Sequence, residues 1–214
     1  MIAIVDYGMG NLRSAQKGFE KVGHEAIVTD DIAVIERADG VVLPGVGAFK
    51  DCIEGLTDRG LVAPVKAAAA SGKPFLGICV GLQLLFDYSE EGPGAEGLGI
   101  FPGRVVRFAE AATSGLKVPH MGWNQIHGNG SPEAGELLRY TSNSCYTYFV
   151  HSYYAVPEDP AIVLAHCEYG VSFPAIVGRD NVFATQFHPE KSQHEGLAIL
   201  KAFGNKVAVA SNVA

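Results

Sequence analysis

Gly77-Ile78-Cys79-Val80-Gly81-Leu82-Gln83 is the stretch on which the rest of the chain turns. The strand-like run Lys73-Pro74-Phe75-Leu76 enters it, and the helix-like run Leu82-Gln83-Leu84-Leu85-Phe86 leaves it. A strand that turns sharply into a helix, with glycine on both sides of a cysteine, has the pattern of a nucleophile elbow. The glycines permit the tight turn and a close approach by substrate. The thiol then sits where a helix begins, and the free N–H groups there favour thiolate over thiol.

Outward from the elbow, the N-terminal half alternates strand and helix patterns. Ile2-Ala3-Ile4-Val5, Glu25 to Thr29 and Asp39-Gly40-Val41-Val42-Leu43 read as strands. A helix is expected from Leu12 to about Val22, with Asn11 as its N-cap, and helical material from Phe49 to about Ser71. This rhythm predicts βαβ units and a largely parallel sheet flanked by helices on both faces, an α/β fold. Sites in such sheets lie at the carboxyl ends of strands, so Asp6–Asn11, Pro44–Phe49 and the elbow should converge. After about Phe101 the rhythm changes. Arg104–Phe108, Tyr146–Val150, Ile162–Ala165 and Val182–Phe187 read as strands with few helices between them, which predicts an antiparallel C-terminal extension of a mixed, open sheet. A helix over Ser192–Lys206 closes a single domain, residues 1–207, and residues 208–214 should fray.

A nucleophilic cysteine needs a base, and the base needs a group to orient it. His188 lies in Gln186-Phe187-His188-Pro189-Glu190 at a strand end. In extended backbone, residues two apart face one side, so the Glu190 carboxylate can fix the imidazole tautomer. Cys79, His188 and Glu190 form the candidate triad. An oxyanion hole would take the Val80 N–H, directly after the nucleophile, and a second donor from Pro44-Gly45-Val46-Gly47. The glycines flanking Val46 leave that peptide free to flip, switching the donor in or out. Gly8-x-Gly10 after the first strand invites a dinucleotide reading, but Arg13 stands where the third glycine belongs.

The totals narrow the classes. Hydrophobic residues are 48% of 214 and charged residues 18%, the composition of a folded globule. A net charge of −7 disfavours nucleic acid or an anionic membrane as the main partner. No apolar run approaches the roughly 20 residues of a membrane span. The first residues carry no basic, signal-like region. Four scattered cysteines, 52, 79, 145 and 167, without a C-x-x-C, fit a reducing cytoplasm. Cys52, Cys145 and Cys167 read as buried small hydrophobes, and no histidine spacing suggests a metal or cofactor.

With these residues in view, the chain resembles the class I, triad-type glutamine amidotransferases, whose sheet is flavodoxin-like. Within that class it is similar to the glutaminase subunits of imidazole glycerol phosphate synthases. The elbow and His188-Pro189-Glu190 are shared by the whole class. Asp6-Tyr7-Gly8-Met9-Gly10-Asn11-Leu12, Pro119-His120-Met121-Gly122-Trp123-Asn124 and the Lys191-Ser192 after Glu190 single out these subunits. The resemblance implies that Cys79 attacks the side-chain amide of glutamine and that His188 carries the proton to the leaving ammonia. It implies that Gln83 and an acidic residue of Ser89-Glu90-Glu91-Gly92, by spacing Glu91, bind the amino-acid end, with Ser152 and Tyr153 nearby. It further implies a heterodimer with a (β/α)8-barrel cyclase that uses the ammonia in histidine biosynthesis. That partner would dock on Asn11, His120, Met121, Trp123 and Lys191. Two other readings stay open: the glutaminase subunit of a different class I amidotransferase, and a stand-alone cysteine hydrolase on the same fold.

Overall fold

The computed structural model describes residues 1–109, 115–142 and 144–211. Nine strands form the main sheet: β1 (Ile2–Val5), β2 (Ala26–Thr29), β3 (Gly40–Gly45), β4 (Phe75–Cys79), β8 (His120–Gly128), β9 (Ser144–His151), β11 (Val163–Glu168), β12 (Ser172–Arg179) and β13 (Val182–Thr185). Four more form a second sheet: β5 (Phe86–Ser89), β6 (Ala95–Glu96), β7 (Phe101–Arg107) and β10 (Tyr153–Pro157). The described helices are α1 (Leu12–Lys21), α2 (Ile32–Arg37), α3 (Phe49–Asp58), α4 (Val62–Ala70), α5 (Val80–Gln83), α6 (Pro132–Leu137) and α7 (Gln193–Ser211).

The main sheet runs in the order β2-β1-β3-β4-β13-β12-β11-β8-β9. It is parallel from β2 to β13 and antiparallel from β12 to β9. The chemistry of the runs explains this split. Strands β1, β3, β4 and β13 are buried at every position, the mark of parallel strands covered on both faces. Strands β8 and β9 alternate toward solvent, as antiparallel strands with one wet face do. Helix α1 buries Ala15, Gly18 and Phe19, with Phe19 against Phe203 of α7 at 6.0 Å between ring centroids.

Four expectations change. Residues 104–107 lie in the second sheet rather than in the antiparallel extension, because β7 pairs with β5 and β10. The helix after the elbow is a single turn. The carbonyls of Leu84 and Leu85 accept from Leu98, Ile100 and Phe101 instead of from residues one turn on, so the chain leaves helix and Phe86 starts a strand. Asn11 makes no side-chain bond to the first turn of α1; its carboxamide is engaged elsewhere. The C-terminal helix continues through Ser211, past the point where fraying is expected, with Val207 buried; residues 212–214 of that expected tail lie outside the described residues.

Candidate active site

The order β3-β4-β13 places three carboxyl ends side by side. Gly45 pairs with Cys79, and Ile78 with Thr185. The Pro44–Gly47 loop, Cys79 and His188 therefore meet at one edge of the parallel sheet, where ligands bind in open α/β folds. Cys79 itself has φ 57° and ψ −110°, a conformation a non-glycine residue adopts only under local constraint. The constraint is visible in the backbone packing. A Cβ on Gly81 would stand 1.9 Å from the Leu43 carbonyl oxygen, and one on Gly45 would stand 2.8 Å from the Gly81 nitrogen. Only glycine lets the two turns come this close.

The candidate triad is brought together. His188 and the Glu190 side chain are almost wholly buried, 1% and 2% exposed, and His188 Nδ1 lies 2.8 Å from Glu190 Oε1. The route differs from the expected strand: Pro189–Lys191 is a 3-10 turn capped by His188, and the turn swings the carboxylate back onto the ring. The other ring nitrogen, Nε2, is buried and has no partner at hydrogen-bond geometry among the described residues, and Cys79 lies close enough for its charge to act on the ring. Burial depresses the imidazole pKa, but the Cys79 thiolate and the Glu190 carboxylate outweigh it and raise the pKa to about 10. A base held in this state beside a thiol is suited to an imidazolium–thiolate pair.

These groups open onto a cleft of about 420 Å³, lined also by Asn11, Val46, Gly47, Val80, Gln83, Glu91, Pro119, Val150, His151, Ser152, Tyr153 and Lys191. Every oxyanion-hole and substrate residue expected from sequence thus faces one space. Gln83 is buried and donates through Nε2 to the Tyr153 carbonyl at 3.0 Å and to Gln186 Oε1 at 3.1 Å. Glu91 Oε2 accepts the Phe49 N–H at 2.7 Å, supplying α3 with the acceptor that Ala48 cannot provide. Glu90 turns the other way and accepts the Arg107 N–H at 2.6 Å, outside the cleft. The pair left open in sequence is thereby separated.

The residues expected at a partner surface divide. Met121 and Trp123, two apart on β8, are 63% and 46% exposed, and Lys191 is exposed at the rim of the cleft. His120 corrects the expectation: the pleat turns it inward, 3% exposed, stacked between Tyr169 and Phe149. Asn11 is half-buried, and its Nδ2 donates to Glu190 Oε1 at 3.1 Å, so it braces the triad. Gln186 was absent from the sequence candidates. It is fully buried and its Nε2 lies 3.9 Å from Cys79 Sγ. A glutamine two residues before His188, in a run that is apolar but for Thr185, is the signal that could have found it.

Residues 3–207 match the family model described as glutamine amidotransferase class-I. The chain belongs to the class-I glutamine amidotransferase family. Within it, the chain is 59% identical to a Syntrophotalea carbinolica protein named imidazole glycerol phosphate synthase subunit HisH, over 96% of this chain and 100% of that one. A Geobacter sulfurreducens protein of the same name is 54% identical over 95% of this chain and 97% of its own. This class-I amidotransferase therefore belongs with the HisH subunits. Solved structures share its fold at lower identity. PurLQS from Thermotoga maritima has a TM-score of 0.72 at 20% identity, covering 97% of each chain. The glutaminase domain of Trypanosoma brucei CTPS has 0.68 at 16%, covering 99% of this chain and 93% of that one.

Proposed function

We propose that this chain is the glutaminase subunit of an imidazole glycerol phosphate synthase and supplies ammonia for histidine biosynthesis. One observation carries the reading: a cysteine held at positive φ at the end of β4, beside a buried His188–Glu190 pair, in a cleft of about 420 Å³ that has room for glutamine. The Cys79 thiolate attacks the side-chain amide carbon of glutamine. The negative charge on the tetrahedral oxygen is met by the N–H groups of Val80 and of the Val46–Gly47 loop. His188 gives its proton to the departing ammonia, leaving a γ-glutamyl thioester on Cys79. It then takes a proton from the water that releases glutamate. Gln83, Ser152 and Tyr153 hold the amino-acid end, and Glu91 presents a carboxylate to its ammonium.

The released ammonia passes to a (β/α)8-barrel cyclase in a heterodimer. Met121 and Trp123 are large apolar side chains exposed on β8, Lys191 lies on the rim of the cleft, and together they form the seat for that subunit. The test is glutamine hydrolysis measured with and without a purified barrel cyclase and its nucleotide ligand. Hydrolysis strongly stimulated by the cyclase is expected. Absence of glutamine hydrolysis in the assembled pair would refute the reading, as would partner-independent turnover of esters or peptides.

A further inference from the structure

Two buried histidines have no part in the proposed chemistry. His120 opens β8, His151 closes β9, and the two are cross-strand partners. A buried imidazole is costly unless its nitrogens are bonded, and those bonds decide where its protons sit. His151 Nδ1 lies 2.8 Å from the Tyr153 carbonyl oxygen. A carbonyl only accepts, so Nδ1 carries the proton. Burial lowers the pKa of His151 to about 3, against the Tyr153 bond and with help from charge on His120 and His188. The ring is therefore neutral, and its Nε2 is an acceptor. His120 Nδ1, 3.0 Å away, must donate to it. Burial brings His120 to about 4, so it too is neutral, and its Nε2 accepts from Asn124 Nδ2 at 3.2 Å. The Asn124 amide is fixed in that sense, because Nδ2 also donates to the Glu168 carbonyl at 2.9 Å. Both rings hold the Nδ1–H tautomer, the minor one in free histidine.

The bonds continue beyond Tyr153. Its carbonyl also accepts from Gln83 Nε2, which donates to Gln186 Oε1, and Gln186 Nε2 reaches Cys79 Sγ. We propose that His120, His151 and Gln186 are positioning residues for the nucleophile, members of one unbroken buried chain that holds the Cys79 thiol from strand β8. The far end of the chain, Asn124, is next to the exposed Trp123. The aromatic stack on His120 fixes its ring plane, at 4.0 Å from Tyr169 and 4.8 Å from Phe149.

The test has two arms on the full chain. In nitrogen-15 histidine spectra, both rings are expected neutral and Nδ1-protonated from about pH 5.5 to 8. An Nε2–H form, or titration of either ring in that window, overturns the chain. The second arm compares His120→Phe, which keeps the aromatic stack and deletes both bonds, with His120→Asn, which retains a donor near the Nδ1 position. The readouts are the rate of Cys79 alkylation by iodoacetamide and the kcat of glutamine hydrolysis in the assembled pair. The other thiols are inert to the probe, since burial pushes Cys52 and Cys145 to about 11 and Cys167 to about 12. His120→Phe should lower both rates about tenfold with KM nearly unchanged, a loss within the range of the two net hydrogen bonds it deletes. His120→Asn should recover most of that loss. Wild-type rates in His120→Phe, or equal damage in a folded His120→Asn, would overturn the proposal. The kcat readout rests on the glutaminase reading, whereas the spectra and alkylation do not. A chain that passes those two yet hydrolyses no glutamine would separate the failure of that reading from the failure of this one.

Discussion

His188 and His151 line the same cleft and are both buried, yet they sit at opposite ends of what an imidazole can do. Burial pulls both down. At His188 a thiolate and a carboxylate reverse that and carry the ring to about 10; at His151 only neutral partners face the bonded nitrogens and the ring stays near 3. The difference teaches that burial sets a common penalty in this protein, and that the partner on each nitrogen decides whether the proton stays. A charged acid–base and a neutral brace are built from one residue type by changing what it touches.

The severest way to break the contrast is to remove the sulfur. Cys79→Ala should cut glutamine hydrolysis by a factor on the order of 10⁴ or more. Ammonia-driven synthesis by the assembled pair should survive, and the His188 pKa should fall toward that of His151, as read by nitrogen-15 spectra. Hydrolysis that persisted would remove Cys79 from the mechanism. Glu190→Gln keeps the shape and deletes the charge. A loss of about 10³–10⁴ in kcat is expected from steady-state kinetics, by analogy with triad carboxylates elsewhere. Asn11→Ala takes one donor from Glu190 Oε1 and should cost about fivefold to tenfold in kcat, one net hydrogen bond. If instead it left kcat intact and only weakened pairing with the cyclase, Asn11 would belong to the interface after all.

The mildest test is thermal unfolding against pH. His120 and His151 titrate below the unfolded value of about 6.5, so the unfolded chain binds more protons there and stability must fall as pH drops from about 6.5 toward 4. His188 has the opposite sign: its contribution is whole below about 6.5 and is lost as pH rises toward 10. The melting temperature should therefore trace a dome, falling by several degrees on each side. His120→Phe should flatten the acid limb and Cys79→Ala the alkaline limb. A single-sided curve would show that one of the two environments is misassigned.

Much of this arrangement was legible in the residues, for reasons that can be stated. Central parallel strands announce themselves as unbroken apolar runs, and Ile2–Val5, Val41–Leu43 and Phe75–Leu76 are such runs. The elbow is local, spelled by glycines on either side of one cysteine. His188 and Glu190 are two residues apart, so their contact needed only a short-range argument, although a 3-10 turn rather than a strand makes it. What escaped was non-local. Nothing near Asn11 in sequence reveals that its amide crosses to Glu190, 179 residues on. The inward turn of His120 depends on the register of β8 against β9, which a pattern with solvent on one face leaves open until the partner strand is known. The single turn of α5 goes no further because a later segment, 98–101, claims the carbonyls of Leu84 and Leu85 just beyond it.

The meeting of Gly45 and Gly81 has one more consequence. Where the end of β3 meets the elbow, the main chain of Leu43 to Gly45 rests on that of Gly81, with the Tyr7 hydroxyl and Val80 Cβ packed just as closely beside it. Side chains are the compliant part of a protein, since they change rotamer at little cost; at Gly81 the nearest atoms are all main chain, the Leu43 carbonyl first. The end of β3 cannot slide over the elbow or lift from it without prying β3 from β4. The freedom lies just past it, at Val46–Gly47, where open space around Gly47 leaves room for a peptide plane to rotate in place, like a slat turning in a fixed frame. A regulator acting here would have to deliver torque rather than displacement.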